Sequence, residues 1–303
     1  MTSFKLKIIA MSSMIVDHFA HIYLRGFQSY QWARAIGRIA FPLYAFLVAE
    51  SCRYTRHREH YLLRLGLFAL ISEVPYDLAF NAGKIDFLTR TNIFYTLFLA
   101  VALIHIFDTI RRCDFYTQIF SVGFCIVSIF FWWSLVAFIT GGNPHPIIVL
   151  IFIYIGCLLI GCKFCCQKQD MTAKVTWKSN ILSALPTLPI LFLSEIIGCD
   201  YDVFGVLLIA LIYMSEKRQR QIVILGCGIF FQYGIKPVSY VLQYGGQISL
   251  SAVMNFLAAM VVVLLVCLYN GQRGKNVKWA FYWAYPIHIT ILIALHFILG
   301  VKM

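Results

Sequence analysis

The sequence predicts an all-α polytopic integral membrane protein, with about 10–11 transmembrane helices in one bundle. Three observations carry this prediction. Charged residues fill only 13% of the 303 positions, about half the usual share of a soluble domain. Hydrophobic residues reach 61% and the mean hydropathy is +0.79, so there are too few polar side chains to cover a water-facing surface. Apolar runs of helical length recur along the chain, most of them near the roughly 20 residues that a bilayer crossing needs. They show none of the alternation of a membrane β-barrel.

The first run, about 4–24, lies in MTSFKLKIIAMSSMIVDHFAHIY. A short basic start before apolar residues resembles a signal peptide. Asp17, His18 and His21 interrupt it, however, and no small-residue cleavage site follows, so it reads as a retained first span. Further runs lie at about 36–53, 61–80, 91–108, 117–139 and 146–163, then at about 180–197, 203–214, 221–235, 251–269 and 279–300. Those at 203–214 and 221–235 are short enough to be half-spans or re-entrant segments. Together the runs use most of the chain, which predicts a single transmembrane domain over 1–303 with no room for a separate soluble one.

Charge placement orients the bundle. With the N-terminus inside, 18 of the 25 Lys and Arg fall in inner segments and seven in outer ones. The loops at 140–146 and 198–202 hold neither. This bias predicts an N-in, C-out multi-pass membrane protein. The net charge of +12 therefore serves topology, and no nucleic-acid-binding pattern accompanies it. Cys162, Cys165 and Cys166 lack a second pair or a nearby His, so no metal is expected.

Ionisable residues inside a span are costly unless they face the bundle interior or water, which makes them functional candidates. Ser13, Asp17 and His21 share one face of the first span, with His18 adjacent to it. A carboxylate beside an imidazole is the pairing that a general base needs. Arg34 and Arg38 stand i, i+4 ahead of an apolar helix bent by Pro42, and Arg38 calls for a buried partner such as a carboxylate or a phosphate-like group. Glu73 and Asp77 flank Pro75 at i, i+4 and share a face if the helix continues through the proline. Asn92 and Thr96 share a face of the fourth span. His288 follows Pro286 in an apolar run, where an imidazole without a role is expensive. Arg53, Arg56 and Arg64, in the inner basic run, are candidates for binding nucleotide phosphates.

The segments MIVDHFAH, GRIAFPLYAF, TRHREHYLLRL, FALISEVPYDLAF, TNIFYTL, YDVFGVLLIALIY and FYWAYPIHITIL, in that order, resemble the TraX family. That family takes its name from the conjugation protein that acetylates the N-terminal amine of F-type pilin subunits. It is similar in turn to the wider transmembrane acyltransferases, which move an acyl group, usually acetyl from acetyl-CoA, onto an acceptor at or across the membrane. The resemblance implies His18 as catalytic His, with Asp17 beside it and Arg38 as the nearby cation. His21, Arg34, Glu73, Asp77, Asn92 and His288 would serve the substrate or the surrounding network, and Arg53, Arg56 and Arg64 the CoA phosphates. Membrane lipids, acetyl-CoA and an envelope or pilin-like acceptor are the partners implied. A multi-span transporter or flippase of an envelope precursor is the competing reading, motivated by short-looped helices with intramembrane charges and by the two broken-looking segments in 203–235.

Overall fold

Proline, glycine and side-chain caps punctuate the chain into helices in the computed structural model, which describes residues 1–27, 29–81, 90–113, 118–119, 121–122 and 177–299. Among these the only β pairing is an isolated bridge between Thr91 and Cys199. Helix α1 spans Ser3–Tyr23, and the Thr2 side chain caps its start by accepting from the Lys5 backbone N–H. Helices α2 (Ser29–Gly37) and α3 (Ala40–Tyr54) follow. They are parted at Arg38–Ile39 because Pro42 has no N–H to offer the carbonyl four residues earlier. Helix α4 (Arg58–Phe80) runs unbroken through Pro75. Helix α5 (Ile93–Ile110) starts at an Asn92 cap.

Beyond residue 176, α6 (Trp177–Ala184), a single 3₁₀ turn (Leu185–Thr187) and α7 (Leu188–Ile196) form one interrupted rod. Helix α8 (Asp202–Met214) follows, and Asp202 enters it with φ 47°, a backbone state that side chains with a Cβ rarely adopt. Then come α9 (Arg218–Ile229), a π-helical segment (Phe230–Ile235) and α10 (Lys236–Tyr244). Helix α11 covers Leu250–Cys267 with a Ser249 cap, and α12 covers Lys278–Leu299 with Pro286 inside it.

Among the described residues five helical stretches are long and apolar enough to cross a membrane: Ser29–Tyr54, Ile93–Ile110, Arg218–Tyr244, Leu250–Cys267 and Lys278–Ile298. Together with the helical architecture they make the chain an all-α polytopic membrane protein. Helices α1 and α4, with 21 and 23 residues, have the length but are less apolar. One expectation changes. The run at 221–235 is not a half-span, because the π segment carries the helix on to Tyr244, giving 27 residues. Helix α8 does remain short, at 13 residues. The run expected at 146–163, nearly all of 117–139, the loop at 140–146 and the Cys162–Cys165–Cys166 cluster lie outside the described residues.

The fold comprises two compact units. The first is built from Met1–Tyr54, Leu70–Lys84 and Leu211–Met303. In it α1 packs against α2, α3 and α12, and α11 packs against α2, α3, α9 and the π segment. Its centre is filled by Leu6, Ala10, Leu43, Ala45, Phe46 and Ala49, all inaccessible to solvent. The α9–α10 and α11 stretches keep most of their apolar side chains exposed, as surfaces solvated by lipid do. The second unit comprises Thr55–Ala69 and Ile85–Ala210. Helix α5 is its buried axis, packed against α6, the 3₁₀ turn and α7.

Candidate functional site

The polar residues of α1 are divided between two partners. Neighbouring residues on a helix point about 100° apart, so Asp17 and His18 leave the same turn in different directions. Asp17 faces α2, where Arg34 Nη1 donates to its Oδ2 at 2.6 Å. Arg38 Nη2 lies 3.9 Å from Oδ1. The three side chains are only 18–23% exposed. Gly37 sits between the two arginines in sequence and flush against Asp17, where a Cβ would collide with the carboxylate. Glycine is the residue that lets the backbone of α2 come this close. The partner expected for Arg38 is therefore the half-buried carboxylate of Asp17, although Arg34 holds it more tightly.

His18 turns instead toward α12. Its Nδ1 lies 2.7 Å from His288 Nε2, and the two rings lie nearly parallel at 11° with centroids 5.0 Å apart. Phe80 and Tyr285 meet the His18 ring edge-on, at centroid distances of 5.0 and 5.9 Å. His288 is buried, and its Nδ1 lies 2.7 Å from the Ala284 carbonyl oxygen. His18 itself is half-buried. The expected Asp17–His18 pairing is thus corrected: the carboxylate is held by Arg34, and the imidazole's partner is a second imidazole 270 positions away.

His21, one turn after Asp17, bonds the Arg25 guanidinium and packs on Phe80, with centroids 5.1 Å apart. Glu73 and Asp77 are completely buried on α4, which does continue through Pro75. Asn81 Nδ2 donates to Asp77 Oδ1 at 2.6 Å.

Two expected roles meet a structural use in place of a binding one. Asn92 belongs to the second unit, where its Oδ1 accepts from the Phe94 N–H at 2.9 Å and its Nδ2 donates to the Ala69 carbonyl at 2.8 Å. It caps α5 and ties it to α4. Arg53 Nη1 donates to Glu50 Oε2 at 3.0 Å, while Nη2 reaches the carbonyls of Ile212, Tyr213 and Ser215. It closes the C-terminus of α8, where helix carbonyls lack partners. Its guanidinium does not fit a CoA phosphate role. Arg56 is exposed, and Arg64 lies over the Tyr61 ring, 6.0 Å from its centroid. Both remain able to meet a phosphate.

Two charge clusters went unrecognised in the sequence. Asp108, buried in α5, accepts from Arg58 Nη1 at 2.5 Å and lies 3.0 Å from Arg111 Nε. An acid within an apolar 18-residue helix is itself a signal, but Asp108 looked like the end of its run. Glu50 pairs with Arg218 at 3.6 Å, and Arg218 stacks over Phe46 and Tyr269, 5.0 and 4.6 Å from their centroids. Burial and the adjacent Glu50 carboxylate push the Tyr269 phenol up to about 12, so it stays protonated and donates to Glu50. In the loop before α8, burial pushes the Cys199 thiol up to about 12, which leaves it a poor nucleophile. Among the described residues no cluster of three or more His, Cys, Asp or Glu is placed to hold a metal ion.

Comparisons with known proteins place the chain. The family model described as TraX protein matches residues 3–157, a stretch that includes Asp17, His18, Arg34, Gly37 and Arg38 but not His288. The probable fimbrial assembly protein FimC, serogroup H1, of Dichelobacter nodosus is 34% identical over 107 residues, covering 33% of this chain and 44% of that protein. The chain therefore spans less than half the length of this curated relative. No solved structure matches it. With half of its length matched by the family model, the chain belongs to the TraX family.

Proposed function

We propose that this protein is a membrane-embedded acyltransferase that moves acetyl from acetyl-CoA, supplied from the cytoplasm, to an amine or hydroxyl of an envelope acceptor. The acceptors that fit this reading are a pilin-like peptide N-terminus and a glycan. The observation that carries it is the half-buried His18 imidazole, held by His288 and edged by Phe80 and Tyr285, one residue from an Asp17–Arg34–Arg38 ion cluster. Membership of the TraX family supports the pilus-related direction, and so does a relative named for fimbrial assembly. The protein would lie in the bacterial cytoplasmic membrane, N-terminus in and C-terminus out.

In this reading His18 takes the proton of the acceptor amine or hydroxyl as its nitrogen or oxygen adds to the thioester carbonyl. Arg38 faces the oxygen that gains negative charge. Collapse of the tetrahedral centre breaks the carbon–sulfur bond, and His18 returns its proton to the leaving thiolate. No net proton remains on the protein. Arg56 and Arg64 are the inner-run arginines left for the phosphates of the donor, since Arg53 is bound to α8.

Purified protein in nanodiscs, given acetyl-CoA and a small amine or hydroxyl acceptor, should release free thiol. The His18→Ala variant should be slower by on the order of 100- to 10,000-fold. Full turnover in that variant would remove His18 as the base.

A further inference from the structure

We infer that His288 is the positioning residue that fixes the tautomer of His18, leaving His18 Nε2 as the bare nitrogen that acts on substrate; the inference deepens the acyltransferase reading and rests on it for its catalytic part. A carbonyl oxygen only accepts, so the 2.7 Å contact between His288 Nδ1 and the Ala284 oxygen places a proton on Nδ1. A neutral imidazole carries one N–H, so His288 Nε2 presents a lone pair. The 2.7 Å approach of His18 Nδ1 to that lone pair then requires the proton between them to belong to His18 Nδ1. Both protons of the pair are thereby assigned, and His18 Nε2 is left as an acceptor.

The ring geometry agrees. With the nitrogens 2.7 Å apart and the centroids 5.0 Å apart, the centroid separation is what the nitrogen–nitrogen distance becomes after a ring radius is added at each end. The two nitrogens therefore lie on the line joining the centroids. The rings meet edge to edge in nearly one plane, at 11°, and not face to face. That is the linear arrangement in which an N–H···N bond is strongest. Phe80 and Tyr285 press edge-on against His18, and Tyr285 also packs at 5.5 Å against His288, which holds both rings in this plane. His18 Nε2, at the far side of a half-buried ring, has no hydrogen-bond partner among the described residues.

The arrangement does for His18 what a carboxylate does for the histidine of a serine hydrolase triad. His288 accepts from Nδ1, holds the ring in place and shares the positive charge when Nε2 gains a proton. That proton stays on the dyad only until the thiolate leaves. Asp17, the sequence-adjacent acid, is committed to Arg34 at 2.6 Å and does not supply this support.

The test is solid-state NMR of the full-length protein in nanodiscs with isotopically labelled histidine and no added donor or acceptor, His18 signals being assigned by their loss in His18→Gln. The expected result is a His18 ring protonated at Nδ1 and bare at Nε2, hydrogen-bonded to a second imidazole. In His288→Leu that coupling should vanish and both His18 tautomers should appear. A wild-type His18 carrying its proton on Nε2 would overturn the inference, whatever the variant does. Kinetics separate positioning from simple scaffolding. His288→Gln, which offers an amide oxygen near the place of Nε2, should keep activity within about tenfold of wild type. His288→Leu should lose about 100-fold or more in kcat with KM for acetyl-CoA unchanged. Equal loss in both variants would contradict the acceptor role. The NMR result needs no acetyl transfer: an Nδ1–H tautomer in a protein that never consumes acetyl-CoA would sink the acyltransferase reading and leave the dyad standing.

Discussion

Gly37 of α2 lies directly against the carboxylate of Asp17 in α1, at a spot where no Cβ fits. The contact explains how Arg34 and Arg38, on either side of Gly37, both reach one half-buried acid. Gly37→Ala should force the carboxylate away from Arg34 or part the two helices, and overpacking of this kind costs about 1–3 kcal/mol. Thermal unfolding in detergent should show a lowered midpoint. Asp17→Ala should not relieve the clash, because the Cβ that alanine keeps still lies in the way of the new methyl.

The Asp17–Arg34 pair should behave as one energetic unit. Its side chains are 18% and 23% exposed, so removing either partner strands a poorly solvated charge, at about 1–3 kcal/mol. Asp17→Asn and Arg34→Gln should each destabilise the protein. The double variant should fall short of their sum by roughly 0.5–3 kcal/mol, the range of coupling between contacting residues. Strict additivity in the unfolding data would mean that the pair does not hold α1 to α2.

Asn92 is a helix cap with a second bond to the Ala69 carbonyl. Asn92→Ala should lower stability by about 1–3 kcal/mol through the lost cap and the stranded carbonyl. Molecules that stay folded should keep their kcat. A variant of normal stability and lost turnover would instead return Asn92 to the reaction.

Arg53 separates structure from donor binding. Its bonds to Glu50 and to three carbonyls around the end of α8 need a planar fork of donors that a lysine lacks. Arg53→Lys should cost at least about 1.5 kcal/mol in stability, since each hydrogen bond to a charged group is worth about that much. It should leave the KM for acetyl-CoA unchanged. Arg64→Ala should do the reverse, raising that KM with little effect on the unfolding midpoint.

Most of the helical plan was legible in the sequence because lipid imposes it: apolar runs at 36–53, 91–108, 251–269 and 279–300 became helices within a few residues of those limits. The residues around Asp17, His18, Arg34 and Arg38 were legible too, since charge in an apolar chain is conspicuous. Their pairing was not. A helix sends residues 17 and 18 to different neighbours, and only the fold shows that α2 meets one and α12 the other. His288 could be recognised as an expensive imidazole but not as the partner of His18, for no local pattern links positions 270 residues apart. Arg53 looked like part of a basic run, and nothing local announced that the carbonyls of α8 would fold back onto it. The length of Arg218–Tyr244 was hidden by Gln232 and Lys236, which lower the hydropathy where the π segment lets the helix continue.

The most direct measurement of the central claim is transfer of radiolabelled acetyl from acetyl-CoA to the N-terminal amine of a pilin-type peptide by the purified protein in nanodiscs, wild type beside His18→Ala. Wild type should place label on the peptide amine, and the variant should do so on the order of 100- to 10,000-fold more slowly. Equal labelling by both would contradict the claim. So would the absence of acetyl transfer to the peptide or to any small amine or hydroxyl acceptor from a folded wild-type protein.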